Sequence, residues 1–274
     1  MAYEWRRAIA RRKVLLLVIV TVLFEVAPFV VFTTLQEPRI QALIRTFSDV
    51  GWLIGVLAPQ GLFIHLTALL IAAGATAEEY EQGTLDVLLT KPLTRLEYIV
   101  GKFLGGFSLA GFVSLLLALL GILLAHLSFG AQRFLEHAPL IWLSSLYTIL
   151  LFYSVGFMLG ELYRRSGHAL LTGVSILISS VVLTGVLFFA FSLTQDPFYL
   201  SLSKVLPSWS AGNLPSMVAT ELFLGNRAPT FLQFGPQIQG TIIEAAGYVL
   251  AYSLPSIAIT LVRFLRSDIP RRTT

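Results

Sequence analysis

The stretch FLGGFSLAGFVSLLLALLGILLAHL, residues 103–127, runs for 25 positions without an aspartate, glutamate, lysine or arginine. An α-helix rises about 1.5 Å per residue, so a helix of this length can cross a hydrocarbon core of about 30 Å. A surface helix of a soluble protein would carry charged residues along one face. The stretch therefore predicts a transmembrane helix.

Further apolar runs of similar length predict five more transmembrane helices. They cover residues 14–35, 51–75, 139–160, 169–193 and 238–262. In the whole chain 56% of residues are hydrophobic and only 12% are charged, whereas soluble proteins have about 25% charged residues. This composition excludes a soluble enzyme, a disordered chain and a nucleic-acid-binding domain. We predict an all-α integral membrane protein in which residues 1–274 form one transmembrane domain of six helices.

The basic residues lie on one side of the predicted membrane domain. Fourteen of the 19 lysines and arginines fall in the first 13 residues, in 76–102, in 161–168 and in the tail from Arg263. Lysine and arginine favour cytoplasmic loops, so we place both termini in the cytoplasm and the protein in the cytoplasmic membrane. The first 13 residues mix five basic residues with aromatic and aliphatic ones, which predicts an amphipathic helix on membrane lipid. The net positive charge thus indicates topology and a lipid partner, with no nucleic acid.

The segment between the second and third predicted helices, ATAEEYEQGTLDVLLTKPLTRLEYIVGKFLGG at residues 75–106, contains two helix breaks. Gly83 tolerates the left-handed conformation that ends many helices. Pro92 has no amide hydrogen and ends a second helix. Thr94 and Glu97 then form a T-x-x-E capping box, which predicts the start of a third helix.

Between these breaks the sequence predicts a short amphipathic helix at residues 84–90, with Thr84 as a candidate N-cap. Leu85, Leu88 and Leu89 share one face because they are spaced i, i+3 and i+4. An isolated helix shorter than about 12 residues is unstable in water, so this leucine face must be buried. It can lie on the lipid interface, pack on the bundle, or dock into a groove on a cytoplasmic partner. The residues alone leave these possibilities open.

A family resemblance rests on this segment. Residues 83–95 read G-T-L-x-x-L-L-x-x-P-x-x-R, after an acidic run and before Gly101-Lys102. The arrangement resembles the signature region of ABC-2-type transporter permeases, the membrane subunits of one class of ABC exporters. The tail 263–269 resembles the short basic ending of these permeases, although Ser267 stands where another basic residue is frequent. The chain looks particularly similar to the branch with the permease of the nitrous-oxide reductase maturation system.

The resemblance implies a mechanism of ATP-driven export. Residues 84–90 would form a coupling helix that docks on a separate ATP-binding cassette ATPase subunit. That subunit would carry ATP and Mg²⁺, and this chain would bind no cofactor. A second permease chain would complete the pathway, as a homodimer or a heterodimer. The residues implied in ATPase docking are Glu78, Glu79, Glu81, Gly83, Thr84, Leu85, Asp86, Leu88, Leu89, Pro92 and Arg95.

The sequence predicts neither catalysis nor a metal site in this chain. A phosphate-binding P-loop requires G-x-x-x-x-G-K-[ST], but Phe103 follows Gly101-Lys102 and Leu96 occupies the position of the first glycine. The motifs H-E-x-x-H and G-x-S-x-G are absent from the sequence, and so is cysteine. ATP hydrolysis is therefore expected on a partner chain.

Two titratable residues stand well inside predicted membrane helices. Glu25 lies 11 residues after Val14, about 16 Å into the membrane at the helical rise, and His65 lies inside the second apolar run. A charge at this depth is costly, so such residues often line a substrate or ion path. We predict that both belong to the translocation path; a structural hydrogen bond to a neighbouring helix is the alternative for each.

The same two residues suit a different class of protein, which we keep as the alternative function. Glu25 and His65 could serve a proton-coupled secondary transporter or a membrane anchor subunit of a redox complex. Neither of these proteins has a reason to carry the 83–102 motif, so this motif distinguishes the two hypotheses.

Overall fold

The computed structural model describes residues 5–6, 12–35, 37–85, 93–223 and 240–266, and within these ranges the regular structure is helical. The helices are α1 (Arg12–Thr34), α2 (Pro38–Phe47), α3 (Trp52–Leu57), α4 (Phe63–Gln82), α5 (Arg95–Phe129), α6 (Ala138–Tyr163), α7 (Ser166–Thr194), α8 (Pro197–Val205), α9 (Pro207–Phe223) and α10 (Ile242–Arg266). Single 3₁₀ turns at Ser48–Val50, Pro59–Gly61 and Leu135–His137 join some of them.

Five of the described helices are long and apolar enough to cross a membrane, namely α1, α5, α6 with the turn before it, α7 and α10. They correspond to five of the predicted apolar runs, and the predicted all-helical, multi-span class is confirmed. The third predicted helix begins earlier than its apolar run, at Arg95, because Thr94 and Glu97 cap it there.

The structure differs from the prediction over residues 51–75, which are not one continuous helix. The chain breaks at Pro59–Gly61, between the short α3 and the 20-residue α4. Pro59 supplies no amide hydrogen to the preceding turn, and Leu62 leaves helical geometry with φ −140° and ψ −53°. Beyond the break, α4 continues through the predicted span end at 75 to Gln82, directly before the predicted helix stop at Gly83.

α4 lies in the middle of the bundle, where it packs on α1, α5, α6 and α7. Thirteen of its 20 residues are buried, so most of this helix is shielded from lipid by its neighbours. A helix enclosed in this way can carry polar residues that a lipid-facing helix would not tolerate. This position explains why α4 is less apolar than the five candidate spans.

The contact between α4 and α6 depends on glycine. A Cβ atom added to Gly156 would lie 3.0 Å from the Leu69 carbonyl oxygen, and one added to Gly160 would lie 2.8 Å from the Ala73 carbonyl oxygen. Gly156 and Gly160 form a G-x-x-x-G pattern on α6, a spacing that lets two membrane helices approach closely. The two central helices therefore meet backbone to backbone.

The segment between α7 and α10 is more helical than the sequence indicated. The sequence pattern predicts one short helix from Ser216 to Leu224, ended by Gly225-Asn226, but α9 begins at Pro207, since proline is well suited to the first turn of a helix. α9 packs on α6, α7 and α10, with Trp209 and Leu214 buried. Residues 224–239, which include the predicted helix end at Gly225-Asn226, lie outside the described part.

The bundle has two distinct ends. At one end, which we call the basic end, α1, α5 and α7 begin and α4, α6 and α10 end; hydrogen bonds, ring stacking and a shared cavity connect these termini. At the other end, which we call the opposite end, α3 packs on α5, and Trp52 lies near Gln132 and Arg133. The basic end contains the described part of the segment singled out from the sequence.

Candidate functional site at the basic end of the bundle

A sharp corner ends α4 at the predicted position. Gly83 has φ 65° and ψ 19°, the left-handed conformation, which supports the prediction made from its residue type. Its amide donates to the Tyr80 carbonyl at 3.3 Å, and the Thr84 amide donates to the Glu79 carbonyl at 3.1 Å. These two bonds make a Schellman motif, which fixes the direction in which the chain leaves the helix.

The start of α5 is fixed by a capping box. The Glu97 amide donates to Thr94 Oγ1 at 3.2 Å, and the Thr94 amide donates to Glu97 Oε2 at 2.8 Å. This is the capping box predicted from the T-x-x-E pattern, and it is confirmed. The segment between Leu85 and Leu93 is therefore held between two well-defined helix ends.

A buried ion pair joins these two helices. Lys102 Nζ on α5 lies 2.6 Å from Glu79 Oε1 on α4, and the two side chains are only 4% and 1% exposed. Lys102 also donates to the Ala75 carbonyl at 3.0 Å, and the Tyr98 hydroxyl donates to Glu79 Oε2. We call Glu79, Lys102 and Tyr98 the ion-pair cluster. Its charges are matched and hydrogen-bonded, as buried charges must be.

The ion-pair cluster gives Glu79 a role that the sequence did not reveal. The family resemblance implies that Glu79 contacts a cytoplasmic partner, but its buried carboxylate is used inside this chain. Leu85 is likewise only 2% exposed and belongs to the same apolar core as Tyr98, Ile99 and Phe264. Both residues hold the corner at Gly83 against the bundle.

Tyr80 and Glu81 connect α4 to the turn between α6 and α7. The Ser166 amide and hydroxyl donate to the two carboxylate oxygens of Glu81 at 2.8 and 2.9 Å, so Glu81 caps the first turn of α7. The Tyr80 hydroxyl donates to Glu161 Oε1 at 2.9 Å, and the Arg164 guanidinium lies 4.6 Å from the Tyr80 ring centre. The turn between α6 and α7 is thus attached to the end of α4.

The last helix completes the basic end. The Phe264 ring stacks on Tyr98 with centres 5.6 Å apart, and Arg95 donates to the Leu265 carbonyl at 3.4 Å. Arg263 donates to the Leu162 carbonyl at 3.1 Å. The end of α10 is thereby tied to both α5 and α6.

Some predicted docking residues are described and others are not. Thr84, next to Gly83, and Arg95, at the start of α5, are exposed, and Glu78 on α4 is half-buried. Asp86, Leu88, Leu89 and Pro92 lie outside the described residues, as does most of the predicted amphipathic helix at 1–13. Within 1–13 the structure describes residues 5–6 and 12–13, and the Trp5 indole donates to Ser108 at 3.1 Å.

Glu25 and His65 are buried at separate places inside the bundle. The Glu25 carboxylate lies against the backbone of Gly121, with which it interacts, at the crossing where Gly121 of α5 meets Gly55 of α3. The His65 ring lies 5.4 Å from the Phe152 ring centre on α6. The structure does not place these two residues in a common site.

Sequence reasoning missed two features of this region. The pairing of Glu79 with Lys102 joins residues 23 positions apart, and no local pattern indicates it. The glycines of α6 were detectable, because G-x-x-x-G inside an apolar run is a known helix-contact pattern.

Comparison with known proteins places the chain in a family. The sequence pattern of the family described as "ABC-2 family transporter protein" matches residues 1–269. A curated relative, the uncharacterized protein YhcI of Bacillus subtilis (strain 168), is 27% identical over 175 residues. The match spans 55% of this chain and 55% of YhcI. Because the family pattern covers nearly the whole chain and the structure has several membrane-spanning helices, this multi-pass integral membrane protein belongs to the ABC-2 transporter family.

Proposed function

We propose that this chain is the permease subunit of an ATP-driven exporter in the cytoplasmic membrane. It works with a separate ATP-binding cassette ATPase, which binds ATP and Mg²⁺, and with a second permease chain that is either a copy or a paralogue. Membership of the ABC-2 family supports this assignment. Residues 84–90 are the contact through which the ATPase acts on the membrane helices.

The observation that carries the proposal is the anchoring of this segment at both ends. On one side Leu85 is buried and the Schellman motif at Gly83 fixes the corner. On the other side the capping box at Thr94 fixes the start of α5. The ion pair between Glu79 and Lys102 then joins the two helices. A force on the segment would therefore move α4 and α5 together.

The proposal assigns different tasks to the residues of the segment. Asp86, Leu88 and Leu89 contact the ATPase, and the exposed Thr84 and Arg95 flank that contact. The buried residues transmit the movement to the bundle and do not touch the partner. Glu79 and Leu85 have this second task, and Gly83, which is partly buried, sets the corner between α4 and the segment.

An experiment with two matched variants tests the docking surface. Leu88 and Val87 are adjacent, but at about 100° per residue Val87 lies on the side of the predicted helix away from the centre of the face that Leu85, Leu88 and Leu89 share. We expect Leu88→Asp to abolish co-purification of the ATPase with the permease. Val87→Asp introduces the same charge in the same segment and should leave the complex intact.

The outcome that contradicts the docking proposal is equally specific. If Leu88→Asp retains the complex and its transport-linked ATPase activity, the leucine face does not dock. If both variants lose the complex while the permease stays folded and monodisperse, charge in the segment is responsible and the assigned face is wrong.

We further propose six membrane crossings, with α4 as the second crossing, after the break inside the predicted run 51–75. α4 is enclosed by α1, α5, α6 and α7, which supports a transmembrane position despite its acids. With α4 included, the helices alternate in direction and both termini lie on the cytoplasmic side, where the basic residues concentrate.

The absence of cysteine from the sequence makes this topology testable. Single cysteines at Arg45 and at Asp196 should react with a membrane-impermeant maleimide added to intact cells. A single cysteine at Leu93 should react only after permeabilisation. If α4 does not cross, the cysteines at Arg45 and Leu93 will be labelled from the same side.

Glu25 remains our candidate for the translocation path. The alternative is a hydrogen bond that ties it to a neighbouring helix, for which the Gly121 backbone on α5 is the partner in reach. We expect Glu25→Gln to reduce transport while the protein still binds its ATPase. Glu136→Gln, which neutralises an exposed acid at the opposite end, is the matched control. Unchanged transport in Glu25→Gln would contradict a role of Glu25 in the translocation path. His65 is assigned to the path only because it lies deep inside a predicted membrane helix.

A further inference from the structure

A cavity of about 270 Å³ opens at the basic end between α1, α4 and α7. Its wall includes Arg12 and Lys13 from α1, Glu78 from α4, and Ser166 and Leu170 from α7. Leu70, Ala73 and Gly74 of α4 form the rest of the lining. The cavity is smaller than most sites for drug-sized molecules, which occupy about 300–1,000 Å³, so it suits a compact group.

The charges in the lining favour an anion with a single charge. Arg12 and Lys13 contribute two positive charges and Glu78 one negative charge, which leaves a net charge of +1 among the described lining residues. The guanidinium of Arg12 can bind two oxygens of one phosphate, and the ammonium of Lys13 can bind as a point charge. One phosphodiester, which carries a single negative charge, neutralises the net charge of this lining.

The surroundings of the cavity favour a lipid over a soluble anion. Leu171, next to the lining residue Leu170, is 70% exposed, and Leu16 on α1 is 64% exposed. In a membrane helix such leucines face acyl chains. Arg12 and Lys13 stand where α1 leaves the apolar run, at the level of the lipid headgroups. A phosphate bound here can therefore remain joined to acyl chains that lie along α1 and α7.

We propose that this cavity binds the phosphodiester headgroup of a phospholipid in the membrane leaflet at the basic end. Arg12 and Lys13 hold the phosphate, the small residues Ala73 and Gly74 leave room for it, and the acyl chains follow the exposed leucines. The site is separate from the 84–90 segment, so its test does not depend on the ATPase.

The test measures phospholipid retention by the purified full-length chain in detergent, with phosphatidylglycerol as the titrated probe and native mass spectrometry as the readout. We expect Arg12→Gln/Lys13→Gln to weaken retention by about tenfold or more, since each basic side chain near a lipid phosphate contributes measurably. Arg263→Gln/Arg266→Gln removes two charges from the same end of the bundle outside the cavity, and it should retain the lipid.

A second variant tests the cavity without a change in charge. Leu170→Trp fills the cavity from the α7 wall and leaves Arg12 and Lys13 in place, so we expect it to weaken retention as well. A parallel arm adds soluble glycerol 3-phosphate, which has the phosphate but no acyl chains and should not displace the lipid at equal concentration.

Three results would overturn the proposal. If Arg263→Gln/Arg266→Gln weakens phospholipid retention as much as Arg12→Gln/Lys13→Gln does, retention depends on the total charge of the basic end and not on the cavity. Full retention in Leu170→Trp would mean that the cavity is not the site. Complete displacement by glycerol 3-phosphate would identify a site for a soluble phosphate. Unchanged helical circular dichroism and a monodisperse elution profile are required of every variant, and a variant that fails this check is replaced by its single-substitution form.

Discussion

The two ends of the bundle are held together by different kinds of contact. At the basic end the Glu79–Lys102 pair is almost completely buried. At the opposite end the pair between Arg133 and Asp49 is 3.9 Å long, with side chains 74% and 46% exposed. Buried pairs depend strongly on both partners, whereas exposed pairs contribute about 0–1 kcal/mol.

The contacts also differ in what they connect. At the basic end, side chains of α4 reach α5, α6 and α7, and α10 reaches α5 and α6. At the opposite end, backbone groups and the amide of Gln132 make several of the contacts between chain segments. The basic end therefore joins the termini of α4, α5, α6, α7 and α10 through side chains, whereas at the opposite end Gln132 and backbone groups join the segment after α5 to residues 48–52.

The largest expected effect comes from breaking the buried pair. Lys102→Met leaves the Glu79 carboxylate buried without its cation, so we expect the free energy of unfolding to fall by about 3–5 kcal/mol. Unfolding in mixed micelles with increasing SDS measures this change. The double variant Glu79→Gln/Lys102→Met removes both charges and should recover much of the loss, because the burial of an unpaired charge is then avoided.

The comparison between the ends fails if this pair behaves like a surface pair. If Lys102→Met lowers the free energy of unfolding by less than about 1 kcal/mol, the Glu79–Lys102 pair behaves like an exposed ion pair. No recovery in the double variant would mean that the hydrogen bonds from Tyr98 and to Ala75 stabilise this region more than charge pairing does.

The sequence predicted the local features of this end and missed the tertiary ones. Gly83 and the Thr94–Glu97 box were predictable because each acts on the backbone within three or four residues. The Glu79–Lys102 pair depends on how two helices meet, so no spacing rule reveals it. The break at Pro59–Gly61 had a signal, a proline and a glycine inside an apolar run, but mean hydropathy over a long window conceals it.

An intermediate effect is expected from the helix caps at the two ends. Glu81 caps α7 from another helix, whereas Asp196 caps α8 locally by accepting from the Phe198 amide at 2.9 Å. Each substitution to alanine should cost about 1 kcal/mol of stability. Their hydrogen-exchange patterns should differ: Glu81→Ala should speed exchange in both the last turn of α4 and the first turn of α7, and Asp196→Ala in α8 alone.

The two caps are expected to contribute similar free energies, so a difference in their hydrogen-exchange patterns reports which helices each cap connects. If Glu81→Ala speeds exchange only in α7, the carboxylate is a simple cap and does not couple α4 to α7. If Asp196→Ala also speeds hydrogen exchange in α6 or α10, the opposite end is as widely connected as the basic end, and the contrast between the two ends is lost.

The smallest effect is expected at the exposed pair of the opposite end. Arg133 donates its backbone amide to the Asp49 carbonyl at 2.7 Å, and its own carbonyl accepts from the Trp52 indole at 2.9 Å. Both bonds use the backbone and survive in Arg133→Ala, so we expect a loss of only a few tenths of a kcal/mol, which high salt should abolish.

Gln132→Ala should cost more, about 1–2 kcal/mol, because its amide accepts from the Trp52 backbone and donates to the Ser48 carbonyl. A larger loss in Arg133→Ala than in Gln132→Ala would show that charge holds this end too, and the two ends would then differ in burial alone.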